Sequence, residues 1–321
     1  RYGIPLYVFQ VVSCFAMACS AVLEDEEQMR GVAETDTETF VIPNIPHEIE
    51  FSRVQMPRHT SESVGRDGAV VAPAPPRGTL ANSFQELEPW YSENCGGKWG
   101  KVFCVGPVSL VNRDPSEKAS RGNPVDEEFW QNWLNSREEK SVIYACFGGL
   151  SRMKYEQIRE LGLALEKSNF PFIWVLREKE ITEDVKMWLQ EFEPRIAERG
   201  FVCKGWAPQF LILSHPAIGG FLSHCGWSSV IEAIVTGVPL IAWPMFSDQF
   251  FHEKLIADVL RIGVRIGVRR FIDDVDAELI TSDKLDAGIQ NLMRSAAGKD
   301  ARKRVKELAG IASKVLEEGG S

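Results

Sequence analysis

Residues 219–235 read GGFLSHCGWSSVIEAIV, an apolar run, then a polar turn, then a second apolar run at helical spacing. This pattern predicts a buried strand, a turn at Gly226 and a helix that begins near Trp227. Similar apolar runs followed by helical patterns occur at residues 141–147, 172–176, 200–203, 238–243 and 262–266. Strands buried on both faces that alternate with helices indicate a parallel, doubly wound α/β sheet.

The first third of the chain has a weaker strand pattern. Residues 6–9, 79–84 and 101–107 predict strands, and residues 112–126 are polar with Gly and Pro, which is typical of a linker. Residues 4–23 are almost wholly apolar, but Pro5, Gln10 and Ser13 interrupt them, so we interpret them as a buried strand and helix and not as a membrane span. A length of 321 residues suits two domains. The chain begins with Arg1 and not with Met, which predicts a truncated N-terminal side.

Composition excludes several classes of protein. A formal net charge of −9 argues against nucleic-acid binding, which needs a basic surface. The seven cysteines form no C-x-x-C pair, which fits neither a disulfide framework nor a zinc site and predicts reduced thiols in a cytoplasmic protein. Asp274 and Asp276 form a D-x-D pattern in a polar loop, which we interpret as solvated charge and not as a metal site.

The predicted helix that begins at Trp227 suits a phosphate group. The first backbone N–H groups of a helix have no partner within it, and the helix dipole adds positive potential there. Ser229 adds a hydroxyl, His224 lies at the strand end, and Glu232 lies one turn further on, where a carboxylate can accept hydrogen bonds from ribose hydroxyls. These residues predict a nucleotide-sugar or dinucleotide site. Neither G-x-G-x-x-G after the first strand nor a P-loop motif is present, which weakens the dinucleotide alternative.

A longer set of residues carries a family resemblance. It consists of Trp206-Ala207-Pro208-Gln209, Ile212-Leu213-Ser214-His215, Gly219, Phe221, His224-Cys225-Gly226-Trp227, Ser229, Glu232, Gly237-Val238-Pro239, Trp243-Pro244 and Asp248-Gln249. These residues resemble, at the expected spacing, the signature box of plant secondary-product UDP-glycosyltransferases of glycosyltransferase family 1, and residues 206–249 are called the signature box below. The resemblance extends to Asn82-Ser83-Phe84, Val105-Gly106-Pro107 and Cys146-Phe147-Gly148. It implies a GT-B fold with two Rossmann-like domains, of which the N-terminal one is incomplete here.

The resemblance also implies domain limits. Residues 1–122 would be the C-terminal part of the acceptor-binding domain plus the linker, and residues 123–300 the donor-binding domain. Residues 301–321 would form a final helix that packs back on the N-terminal domain.

The resemblance assigns roles to residues of the signature box. Trp206 would stack on uracil, Ala207 and Gln209 would reach the uracil edge, and Glu232 would hold the ribose. His224, Ser228 and Ser229 would bind the diphosphate, while Trp227, Asp248 and Gln249 would contact the sugar. The Gln at the last position favours UDP-glucose as the donor substrate, with no cofactor and no metal. Two positions depart from the family pattern: Ser228 stands where Asn is common, and Gly149 where many relatives have Ser, so each side chain offers less to a phosphate.

Inverting sugar transfer needs a base that deprotonates the acceptor hydroxyl. In this family the base is a His paired with an Asp, and both would precede Arg1. The five histidines present are in other contexts, so we expect no catalytic base in this chain and little transfer of glucose to a flavonoid, phenolic or terpenoid acceptor.

Two alternatives come from other classes of protein. One is a non-catalytic nucleotide-sugar binder or pseudogene product, and the other is a nicotinamide-dependent oxidoreductase on a similar sheet. For the preferred hypothesis we expect a monomer whose partners are a small-molecule donor and acceptor, with no nucleic acid and no membrane insertion.

Overall fold

A computed structural model describes residues 5–25, 35, 37–56, 77–111, 127–315 and 317. Within these residues the strands are β1 (Tyr7–Gln10), β2 (Thr39–Val41), β3 (Glu50–Ser52), β4 (Gly78–Ala81), β5 (Val102–Cys104), β6 (Val142–Cys146), β7 (Phe172–Leu176), β8 (Gly200–Lys204), β9 (Ile218–Ser223), β10 (Leu240–Ala242) and β11 (Gly263–Arg265). The α-helices are α1 (Cys14–Leu23), α2 (Pro89–Asn94), α3 (Val108–Val111), α4 (Glu127–Asn135), α5 (Tyr155–Ser168), α6 (Glu183–Ile196), α7 (Gln209–Leu213), α8 (Trp227–Thr236), α9 (Gln249–Lys254), α10 (Ser282–Arg294) and α11 (Ala296–Val315). A π-helical turn, Leu255–Val259, continues α9.

The larger sheet has six parallel strands in the order β11-β10-β9-β6-β7-β8. Every residue of β7 and of β9 is buried, as expected for strands covered by helices on both faces. The chain moves from β6 outwards to β8 and then returns to place β9 on the other side of β6. The strand order therefore reverses between β6 and β9, and a crevice opens beyond the carboxyl ends of strands at such a point.

Local signals fix the ends of the helices around this sheet. Thr182 accepts a hydrogen bond from Val185 N at the start of α6, and Thr281 does the same from Lys284 N at the start of α10. Gly237 ends α8 in the left-handed conformation with φ 71°, which glycine adopts without strain. Helix α8 therefore has a defined length and points its first turn at the crevice.

A smaller parallel sheet, in the order β1-β4-β5, precedes the larger one. Helix α1 packs against α2 and α9. The carboxylate of Glu88 is buried and accepts hydrogen bonds from Phe15 N (2.7 Å), Cys14 N (3.3 Å) and Ser83 Oγ (2.5 Å). It thus stabilises the first turn of α1, while desolvation raises its pKa above the ordinary value. No helix in the described ranges is long and apolar enough to cross a membrane.

Buried contacts join the two sheets. Trp227 Nε1 donates to the carbonyl oxygen of Asn82 (2.8 Å), and Ser13 N donates to His252 Nε2 (3.3 Å). The other ring nitrogen of His252 lies 2.9 Å from Cys225 O. A backbone N–H can only donate and a carbonyl can only accept, so this imidazole is neutral with its proton on Nδ1.

The last helix is longer at its start than the predicted segment 301–321, and its packing on the N-terminal domain stays a prediction. Helix α11 begins at Ala296, so the predicted boundary at residue 301 falls inside it, and it packs against α8, α10 and β11. Its buried residues include Ala301, Val305, Leu308 and Ala312, spaced as one helical stripe, and Arg302 Nη2 donates to Gly219 O (3.0 Å) in β9. Its described residues are therefore a layer of the six-stranded domain. The predicted linker, residues 112–126, lies outside the described residues, and the other domain limits stay predictions.

Candidate nucleotide-binding site

Two adjoining cavities lie beyond the carboxyl ends of β6, β7, β8 and β9, with volumes of about 550 Å³ and about 320 Å³. Both are lined by Gly148, Gly149 and Ser229, so they form one continuous crevice. The larger cavity is also lined by the predicted residues Trp206, Ala207, Gln209 and Glu232, and the smaller by His224, Trp227, Ser228, Asp248 and Gln249. All eleven residues predicted from the sequence thus line one crevice.

One wall of the larger cavity carries a polar network. Gln209 Nε2 donates to Ser229 Oγ (3.0 Å) and to Glu232 Oε2 (2.8 Å). Trp206 is partly exposed at the end of β8 and lines the same cavity. An indole face beside a carboxylate and a hydroxyl suits a flat base joined to a hydroxylated sugar.

The smaller cavity contains the first turn of α8. Gly226 precedes the helix and offers no side-chain cap, and the first helical hydrogen bond runs from Val230 N to Gly226 O (3.1 Å). The N–H groups of Trp227, Ser228 and Ser229 therefore lie outside the helical ladder, at the positive end of the helix dipole. This turn can receive an anion.

His224 is packed between two glycines in this cavity. A Cβ added to Gly148 would lie 2.5 Å from His224 Nε2, and a Cβ on Gly226 would also overlap the ring. Burial lowers the pKa of His224 to about 4, so the imidazole is neutral at pH 7. The ring atoms nearest to both glycines are Nε2, Cε1 and Cδ2, so this edge of the imidazole lies between Gly148 and Gly226 at the smaller cavity.

The remaining predicted residues, Asp248, Gln249 and Trp227, differ in how far their side chains are used in hydrogen bonds within the protein. Asp248 is half-buried, with its carboxylate 3.3 Å from His252 Nδ1. Gln249 uses its side-chain oxygen to accept from Met245 N (2.8 Å) and Phe246 N (3.1 Å), which leaves its amide nitrogen for a ligand. The Trp227 indole is 2% exposed and donates to Asn82 O at the interface between the sheets, and its contact with the sugar stays a prediction.

Sequence reasoning missed several residues that line the larger cavity. Arg177 and Glu180 follow β7, and Val108 and Ser109 in α3 approach from the side of the smaller sheet. The rule that ligands bind at carboxyl ends of strands, applied to β7, would have found Arg177. Helix α3 lies next to the predicted linker and carries no motif, so no sequence signal points to it.

The D-x-D prediction needs a correction. Asp274 is 5% exposed, so the expectation of solvated charge is wrong for this side chain. In the ranges that the structure describes, no group of three or more His, Cys, Asp or Glu side chains is arranged to hold a metal ion. All seven cysteines are free thiols.

Comparisons with known proteins agree with this geometry. The model of the family "UDP-glucoronosyl and UDP-glucosyl transferase" matches residues 107–297. UDP-glycosyltransferase 73C5 of Arabidopsis thaliana is 41% identical, and 73C11 of Barbarea vulgaris is 40% identical, each over 100% of this chain and 68% of the relative.

Solved structures of plant enzymes match as well. UGT73P12 of Glycyrrhiza uralensis, complexed with glycyrrhetinic acid 3-O-monoglucuronide, has a TM-score of 0.87 at 38% identity, covering 99% of this chain and 67% of that chain. UGT2 of Phytolacca americana, complexed with UDP-2fluoro-glucose and pterostilbene, has a TM-score of 0.77 at 26% identity, covering 99% and 69%.

Two parallel sheets joined beside a crevice, with these structural matches, define a glycosyltransferase of the GT-B type. The chain belongs to the plant UDP-glycosyltransferases, which transfer a sugar from a UDP-sugar to a small molecule. The predicted family and fold class are therefore confirmed.

Proposed function

We propose that the crevice binds UDP-glucose and presents its anomeric carbon to a hydroxyl of a small phenolic, flavonoid or terpenoid acceptor, with inversion at that carbon. The observation that carries the proposal is the single crevice that joins the uncapped first turn of α8 and His224 to Trp206 and Glu232. The structural relative complexed with UDP-2fluoro-glucose and pterostilbene supports the same classes of donor and acceptor.

In this proposal each part of the donor has its own group of residues. Uracil stacks on Trp206 with its edge at Ala207 and Gln209, and Glu232 accepts hydrogen bonds from the ribose. The diphosphate lies at the first turn of α8, where Ser229 and His224 donate to it. Asp248 and the amide nitrogen of Gln249 contact the glucose.

The reaction breaks the bond between the anomeric carbon and the diphosphate as the acceptor oxygen bonds to that carbon. The helix N-terminus and the neutral His224 stabilise the negative charge that develops on UDP. The acceptor proton needs a base, and His224 is not assigned that role here, because its pKa of about 4 makes it a weak base and the proposal places it on the diphosphate.

The other described histidines are held elsewhere. His47 bonds to Tyr91 Oη (2.7 Å), His215 bonds to Asn135 Oδ1 (3.0 Å), and His252 bonds to backbone groups on both sides. We therefore propose that the described residues supply donor binding and not the base, and that this polypeptide transfers glucose poorly. The alternative of a non-catalytic nucleotide-sugar binder is favoured by the same observation. We further expect a cytoplasmic monomer that needs no cofactor or metal.

The test combines calorimetry with a transfer assay. We expect saturable binding of UDP by the polypeptide, at least tenfold weaker binding by W206A, and no binding of NAD. We also expect negligible transfer of labelled glucose from UDP-glucose to a flavonol. Absence of UDP binding would refute the proposed donor site. Turnover equal to that of UDP-glycosyltransferase 73C5 would refute the proposal that the described residues do not supply the base.

A further inference from the structure

The loop between β6 and α5, residues 147–154, lies at the junction of the two cavities. Gly148 and Gly149 line both of them, and the next residue, Leu150, is 81% exposed. Within the loop, Ser151 Oγ donates to Phe147 O (2.5 Å). Phe147 and Ser151 are buried, but the two adjacent glycines between them have little intrinsic stiffness, so contacts from outside the loop help to fix its shape.

Those contacts come from three residues of the segment 177–180, which follows β7. Arg177 Nη2 donates to Ser151 O, Lys179 Nζ donates to Gly149 O (2.7 Å), and Met153 N donates to Glu180 Oε1 (3.2 Å). Three backbone groups of the loop, spread over five residues, are thus bound by the segment 177–180.

Arg177 and Glu180 are themselves fixed to each other. Arg177 Nη2 lies 2.9 Å from Glu180 Oε1, and Arg177 Nε donates to Glu180 Oε2 (3.2 Å). The two side chains are 14% and 6% exposed. A paired fork of this kind has little rotational freedom, so it can hold the loop in one position.

The position of the loop matters because of His224. Gly148 adopts φ 67° and lies so close to the imidazole that no side chain fits between them. A displacement of the loop would change the space around His224 and move Gly149 relative to the start of α8. Trp206 and Glu232, which would hold the uridine, belong to other elements: Trp206 follows β8 and Glu232 lies in α8.

We infer that Arg177 and Glu180 are a positioning pair that holds the β6–α5 loop in the shape that receives the diphosphate of the donor. The inference rests on the proposed function. The pair acts on the diphosphate part of the ligand through the loop. Because both side chains also line the larger cavity, the test has to separate this effect from a direct contact with the nucleoside.

The test compares the affinities of UDP and uridine for the full polypeptide by calorimetry. E180Q keeps the side-chain shape but removes the charge that pairs with Arg177, and we expect it to weaken UDP binding about tenfold while uridine binding changes less than twofold. R177K keeps a cation beside Glu180 but loses the fork, so we expect a smaller loss of UDP affinity. If the pair contributed only to overall stability, E180Q would not weaken UDP binding more than uridine binding.

The chain offers a matched control in a second Arg–Glu fork. Arg195 binds Glu166 through Nε (2.8 Å) and Nη2 (3.0 Å) on the surface formed by α5 and α6, away from the crevice. E166Q therefore makes the same chemical change elsewhere, and we expect it to leave both affinities unchanged.

Every outcome bears on the inference. Equal UDP binding by E180Q and wild type overturns it, and so does a parallel loss of uridine binding, which would place the pair in the nucleoside site. If E180Q fails to fold, the double variant R177M/E180M, which replaces the buried pair by apolar side chains, is measured instead, and wild-type UDP affinity there overturns the inference. Absence of UDP binding by the wild type would refute the proposed function, and the inference with it.

Discussion

Gly148 and Gly149 are adjacent, but the space around them differs, and this makes a sharp test of the crevice. A Cβ on Gly148 would lie 2.5 Å from His224 Nε2, at a backbone φ of 67°, whereas a Cβ on Gly149 would meet no atom within 4 Å. The two substitutions G148A and G149A add the same methyl group one residue apart. We expect G148A to weaken UDP binding and G149A to leave it nearly unchanged.

The magnitude for G148A has two parts. A left-handed conformation costs an L-residue roughly 1–2 kcal/mol, which corresponds to a fall in Tm of about 2–8 °C for a domain of this size. The overlap also displaces the His224 ring, which is buried and has Gly226 on its other side. Loss of one hydrogen bond to a charged group costs about 1.5–3 kcal/mol, so UDP affinity should fall roughly ten- to a hundredfold. For G149A we expect changes within about 0.5 kcal/mol.

The assay is calorimetric titration of UDP into each purified variant, with thermal unfolding measured in parallel. G149A is the control for the added methyl group. Wild-type UDP affinity in G148A would show that His224 does not bind the diphosphate from its present position. Equal damage by both substitutions would show that the loop itself, and not the approach to His224, limits binding.

Three further predictions follow from single residues. G149S should bind UDP as well as the wild type or a few-fold more tightly in calorimetry, because the site is open and the hydroxyl can donate to a phosphate; a tenfold loss would contradict this. The stability difference between H224N and the wild type should depend on pH, because folding lowers the pKa of His224 from 6.5 to about 4. As pH falls from 6.5 to 4, the unfolded state gains a proton that the folded state excludes. The wild type therefore loses roughly 1.4 kcal/mol of stability per pH unit relative to the variant. The raised pKa values of the buried carboxyls Glu88 and Glu253 change the stability with the opposite sign as pH falls. The measurement is therefore the difference in unfolding free energy between H224N and the wild type at each pH. A difference that does not change with pH would refute the lowered pKa of His224. W227F should lower Tm by several degrees, because the buried carbonyl of Asn82 loses its donor. An unchanged Tm with weaker glucose binding would instead support the predicted contact between the indole and the sugar.

The sequence predicted the parts of the site that depend on local chain geometry. The order of strand, turn and helix around Gly226 follows from apolar periodicity, and the positions of His224 and Ser229 at the helix start follow from that order. Glu232 lies one turn further along the same helix, so its place on the crevice wall follows as well. Such predictions succeed because the distances involved are set within about ten residues of chain.

The features that the sequence did not predict depend on which surfaces meet. The Trp227 indole donates to Asn82 O, 145 residues earlier in the chain, and no local pattern predicts such a contact. The stripe that contains Val305 was readable as an apolar face, but periodicity does not say which layer covers that face. Arg177 was missed for a related reason, since its importance comes from the backbone of Ser151 and not from any motif around it.

The turn that would receive the diphosphate is also part of the junction between the two sheets. Cys225 adopts φ 65°, a conformation that costs a non-glycine residue about 1 kcal/mol or more. Its carbonyl oxygen accepts from His252, whose other ring nitrogen accepts from Ser13 N, and the next side chain but one, Trp227, stacks on the same imidazole at 5.1 Å. The strained turn is thus held by contacts from the smaller sheet as well as from α9. Because those contacts fix the backbone that leads into α8, the smaller sheet contributes to the geometry of the donor site through the turn.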